Sequence, residues 1–164
     1  MVALRYAYLL ALVVWLGGLI ALGGIAAPAI FSALTGVHGL AGRETAGLVF
    51  GAVLRRFHIA AYISAGVMIV SLVAMAALGP RPSRFAIRLA IVLLMGALTA
   101  YSGLMVSPRI EHLRREIRGP VAALAETDPR RVAFGRLHGM STLLLGITAA
   151  AGLVLLFFDT RTHD

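Results

Sequence analysis

The stretch LHGMSTLLLGITAAAGLVLLFF, Leu137 to Phe158, contains no acidic side chain, no arginine and one histidine, in its second position. About 20 helical residues cross a ~30 Å hydrocarbon core, so this segment is long enough to span a bilayer. Three further uncharged runs stand earlier in the chain: Tyr6–Leu34, Phe57–Leu78 and Leu89–Pro108. Lipid offers backbone N–H and C=O groups no partners, so such runs must be helices or strands of a closed barrel. Without period-2 alternation they read as helices. The expected fold is all-α: an integral membrane four-helix bundle in one domain, residues 1–164, with spans at about 6–34, 57–78, 87–108 and 137–158.

Composition agrees. Only 13% of the 164 residues are charged and the mean hydropathy is +0.92, where a soluble domain is roughly a quarter charged. The run after Arg5 far exceeds the about 7–15 residues of a signal-peptide core, so it is read as a retained span. There is no cysteine, hence no disulfide and no thiolate chemistry. The net charge of +8 rests on fifteen arginines and no lysine. These arginines lie between the spans, which points to topology signals touching anionic headgroups and away from nucleic acid.

Ten of them (Arg43, Arg55, Arg56, Arg109, Arg114, Arg115, Arg118, Arg130, Arg131 and Arg136) flank one side of the bundle. Five (Arg5, Arg81, Arg84, Arg88 and Arg161) flank the other. The asymmetry places the first and third loops in the cytoplasm and both termini outside. The third loop, about 109–136, is expected to be partly helical: Ile110, Leu113 and Ile117 share a face, Glu111 and Arg115 stand four apart, and Gly119-Pro120 ends the pattern. Asp128-Pro129 reads as the cap and first position of the last helix. Prolines at 28 and 108 are expected to kink or stop the first and third helices.

The halves of the chain match at an offset of 80: Gly23 with Gly103, Pro28 with Pro108, Arg56 with Arg136, His58 with His138, and Gly66 with Gly146. Two spans per half would give tandem hairpins related by a pseudo-two-fold axis along the membrane normal. Small residues (Gly17, Gly18, Gly23 and Gly24, Gly96 with Ala100, Gly146 with Ala150) suit close helix packing. Trp15, mid-span, is expected inside the bundle.

The candidate chemistry sits on two histidines. His58 and His138 each lie one residue into an apolar run, at equal depth and on the same side, with Tyr62, or Ser141 and Thr142, about one turn further in. An ionisable group in a span is a functional hypothesis by default. Neutral imidazole binds haem iron, copper or zinc; Met140 offers a thioether, with Met68 and Met105 as further choices. Arg56 and Arg136 are the anion partners. The other readings are an interfacial histidine bonded to a loop carbonyl, with arginine snorkelling to headgroups, or proton chemistry. His38, Glu44, Glu111 and His112 are expected in solvent, and His163 in the tail is left aside. No acidic residue falls within a span, no nucleophile-and-base arrangement or phosphate loop is present, and the chain is not expected to be an enzyme.

WLGGLIALGGIAAPAIF (15–31), SPRIEHLR (107–114) and FGRLHGMS (134–141) resemble the transmembrane protein 205-like family of small four-span membrane proteins. The resemblance implies a bacterial cytoplasmic membrane location. Leu144, Leu145 and Gly146 stand where such proteins often carry a polar residue. A more distant likeness is to CopD-type copper-handling domains and HemJ-type protoporphyrinogen oxidases, although RYAYLLALVVW lacks the early histidine of the oxidases. The expectation is a metal or haem-like ligand, with haem or copper as cofactor, between His58 and His138. The alternatives are an accessory subunit of a larger membrane complex, or a homo-oligomeric permeation or resistance protein in the bilayer.

Overall fold

The structure, a computed structural model, describes residues 1–79, 82–117 and 119–160; Arg81, Arg118, Arg161 and His163 lie outside them. Every regular element among the described residues is helical. Three long apolar helices are present where four were expected: α1 (Val2–Leu78), α2 (Phe85–Ile117) and α3 (Pro129–Thr160). A short 3-10 turn, Val121–Ala123, lies in the linker between α2 and α3.

The count differs because the first loop is a single residue. Helical structure runs through the glycine-rich segment 35–56 except at Gly39, with φ 58° and ψ −130°. That conformation is closed to a residue with a Cβ. A straight helix of 77 residues would be roughly 115 Å long at about 1.5 Å per residue, yet the Met1 side chain packs on Gly79. α1 therefore doubles back at Gly39 into two limbs, 2–38 and 40–78. Gly42 lets the limbs cross closely, since the Leu34 carbonyl occupies the place a Cβ would take. Gly18 does the same for Phe57 further along.

Neither proline stops its helix. Each follows a widened turn, Leu22–Ala26 in α1 and Ser102–Val106 in α2, in which the chain bonds five residues back: the N–H of Ala27 donates to Leu22 and that of Ser107 to Ser102. The widening answers the crowding between a proline ring and the carbonyl four residues earlier. The two π-turns lie 80 positions apart. Pro108 has no N–H and that of Ser107 is engaged elsewhere, so the Gly103 carbonyl drops out of the helical ladder.

The core is the inward stripe of all three helices: Tyr8, Leu12 and Trp15 against Met68, Leu72, Val92, Met95 and Leu155. Trp15 is fully buried, as its mid-span position suggested. Outward faces are as apolar as inward ones; only 33%, 28% and 28% of the most apolar windows of α1, α2 and α3 is buried. α3 begins as expected. Asp128 accepts the Arg130 N–H at 2.8 Å and pairs with the same guanidinium at 2.8 Å. The Arg130 side-chain bonds, and then its backbone N–H, hold the Asp128 carboxyl down at about 2 and raise the guanidinium in return. Arg84, left-handed at φ 56°, turns the chain into α2 and lays its guanidinium 4.9 Å from the centre of the Phe158 ring.

Candidate functional site

His58 belongs to the inward stripe of the second limb, between Leu54 and Ala61, and is 4% exposed. Its ring stacks on Tyr62 one turn later, centroids 6.2 Å apart and planes 14° apart. Both side chains lie over Gly103 in the π-turn of α2, where a Cβ would meet the Tyr62 hydroxyl and stand 3.1 Å from His58 Cγ and Nδ1. His58 Nε2 and the Tyr62 hydroxyl are buried without a hydrogen-bond partner, and so is the hydroxyl of Ser102 beside Gly103. Buried polar atoms are normally paired, and an orphan is costly.

His138 is placed differently. It is exposed, stacks on Phe134 with centroids 6.2 Å apart, and lines a cavity at the linker end of the bundle that His58 does not reach. The buried stripe of α3 starts only at Ser141 and continues through Thr148, Gly152, Leu155 and Asp159. His138 sits one turn outside it. Equal depth in an apolar run is not equal depth in the packing: α2 covers the second limb at His58, whereas His138 faces the linker-end cavity. Arg56 and Arg136 are exposed, Met140 is half-buried, Met105 is exposed and Met68 is core. The structure brings His58 together with Tyr62 and Gly103, and the contacts of the two histidines do not overlap. Thr142 donates to the His138 carbonyl at 3.1 Å, closing its polar stripe on itself. Among the described residues no three of His, Cys, Asp and Glu gather as a metal would need.

At the linker end one residue expected in solvent, Glu44, is not. Glu44 and Arg114 stand 3.9 Å apart with side chains only 22% and 15% exposed. Glu111 pairs across to Arg55 at 3.9 Å, and not along its own helix to Arg115. His112 is exposed, as expected, and faces Glu116 at 3.5 Å.

The opposite end holds a cluster the sequence reading missed. Arg88 and Asp159, 6% and 7% exposed, form an ion pair at 2.7 Å, and Arg88 also donates to the Phe158 carbonyl at 3.2 Å. The Tyr8 hydroxyl lies beside Asp159. These side chains line an open cavity of about 430 Å³ with Arg5, Met1 and Met75. Arg88 reads in the sequence as a topology signal, and Asp159 was not singled out. The available clue was that each stands one residue outside an apolar run, on the same side, with opposite charge.

The fold and these sites define a small all-helical protein whose surface suits a lipid environment. The chain belongs to the family described as Domain of unknown function (DUF4149), matched over residues 10–119, about two thirds of its length. The match includes His58, Tyr62, Arg88, Gly103 and Arg114, and stops before α3 with His138 and Asp159. The match is to this family and by itself shows no likeness to the transmembrane protein 205-like, CopD-type or HemJ-type proteins. No curated protein and no solved structure matches the chain.

Proposed function

We propose that the chain is an integral membrane protein crossing the bilayer four times as two tandem hairpins, and that it holds a small ligand at the π-turn of α2 with His58 as the principal contact. The membrane part is supported by apolar helices that leave about two thirds of their most hydrophobic windows unburied, an arrangement water would penalise and lipid would not. The tandem part is supported by the two π-turns and their prolines at one offset. Arginine asymmetry puts the termini outside.

The ligand reading rests on one observation: a nearly fully buried imidazole whose Nε2 has no partner, stacked with an equally unpartnered tyrosine over a glycine. π-turns inside helices recur at functional sites. With one ring face on Tyr62 and its Cγ–Nδ1 edge on Gly103, the remaining Nε2 edge suits a compact ligand better than a porphyrin, and a metal ion there would have His58 as its one His, Cys, Asp or Glu ligand. Within this reading His138, Arg56, Arg136 and Met140 are not ligands of the same species.

Elemental analysis and an absorbance spectrum of protein purified from membranes test it. Stoichiometric metal, lost in His58→Ala and kept in His138→Ala, is the expected result. Metal-free wild type, or equal metal in His58→Ala, removes the ligand. The accessory-subunit reading then takes over, favoured by the small residues Gly17, Gly139 and Gly146, which lie exposed with nothing within 4 Å. Its signature is co-purification with other membrane subunits.

A further inference from the structure

Arg114 is an unusual residue for a loop-end arginine. Its side chain is only 15% exposed, and its Nε is buried without a hydrogen-bond partner. Among the described residues its ion-pair partner is Glu44, at 3.9 Å, which is beyond hydrogen-bond length. The guanidinium is nevertheless firmly seated. It fills the place a side chain on Gly47 would take, and its carbon lies 5.3 Å from the centre of the Phe134 ring. A cavity of about 110 Å³ opens beside it, walled by Phe31 and Phe134 and carrying Arg43, Glu44 and His138.

We propose that this cavity binds a phosphate group, with Arg114 as its central contact and Arg43 and His138 at its rim. A guanidinium presents five donors in a planar fork matched to phosphate oxygens, and here those donors are oriented in advance by Gly47 and Phe134. Two arginines against one carboxylate leave an excess of one positive charge, which suits a monoanion. A water needs only about 10–15 Å³ by the same kind of measure, so 110 Å³ has room for a phosphate group with waters beside it. The cavity lies at the ends of the apolar segments, level with headgroups if the chain spans a bilayer. The phosphate can therefore come from an anionic phospholipid or from free phosphate. The inference does not depend on His58, whose contacts are separate.

The test uses the full chain, purified in a neutral detergent at fixed ionic strength. Its unfolding midpoint is followed against inorganic phosphate and, separately, against short-chain phosphatidylglycerol, with phosphatidylcholine of the same chain length as reference. A saturable rise with either anion, weakened at least tenfold in Arg114→Gln and unchanged in Arg115→Gln (Arg115 being exposed on the same helix), supports the site. Response to phosphatidylglycerol alone identifies a lipid headgroup; response to phosphate as well identifies a free anion site. No saturable rise with either, or equal loss in Arg114→Gln and Arg115→Gln, overturns it. Should Arg114→Gln fail to fold, Arg43→Gln, at the exposed rim, serves in its place with the same required contrast to Arg115→Gln.

Discussion

Asp159 stands one residue beyond Phe158, where an apolar run gives way to a polar tail, and its carboxylate is buried on Arg88. Desolvating two charges is costly, and their attraction offsets the cost only while both are present. Arg88→Leu or Asp159→Asn alone should lower stability by about 3–5 kcal/mol, whereas the double replacement by leucine should recover most of the loss. Unfolding midpoints in detergent check this. Equal damage in the double variant would mean that the pair does more than neutralise itself. Asp128 differs in that its partner is local, Arg130 two residues further on, and half-exposed. Its carboxyl, held down at about 2 from an ordinary 3.8, contributes its full share to the start of α3 above about pH 4. That share is lost as pH falls through about 2. Hydrogen-exchange protection factors at Arg130 to Val132, which remove the intrinsic pH dependence of exchange, should therefore fall between pH 4 and 2 in the wild type, with no such step in Asp128→Asn.

At the scale of elements, the two π-turns are alike in sequence position and unlike in surroundings. Gly103 is covered by His58 and Tyr62, while its counterpart Gly23 has nothing within 4 Å. Gly103→Ala should cost about 1–3 kcal/mol by overpacking, and Gly23→Ala should cost nothing measurable, again read from unfolding midpoints. Comparable losses at both would show that the halves pack more symmetrically than described. These elements also show what the sequence could and could not tell. The helices were legible because an uncharged run beyond about 18 residues has few other solutions, and Asp128-Pro129 marked the start of α3 to the residue. The reversal at Gly39 was obscured by its neighbours: in sequence Gly36 and Gly42 are as free to turn as Gly39, yet they are helical. The histidine pair looked symmetric because sequence depth is visible and helix coverage is not. The Arg88–Asp159 and Arg114–Glu44 pairs were hidden for a related reason, as a charge beside an apolar run reads equally as a headgroup contact or as a buried partner.

On the scale of the whole molecule, everything depends on which ends share a side. Met1, Gly79, Ser83 and Asp159 cluster at one end, and Gly39 with the 119–128 linker belongs to the other. The absence of cysteine makes the arrangement directly measurable. Single cysteines at Val2, Ser83, His38 and Thr127, all exposed positions, can be challenged in intact cells with a membrane-impermeant maleimide. Val2→Cys and Ser83→Cys should label from outside, and His38→Cys and Thr127→Cys only after the membrane is opened. Labelling of Ser83→Cys and His38→Cys from the same side, or recovery of the chain in the soluble fraction, would contradict the account.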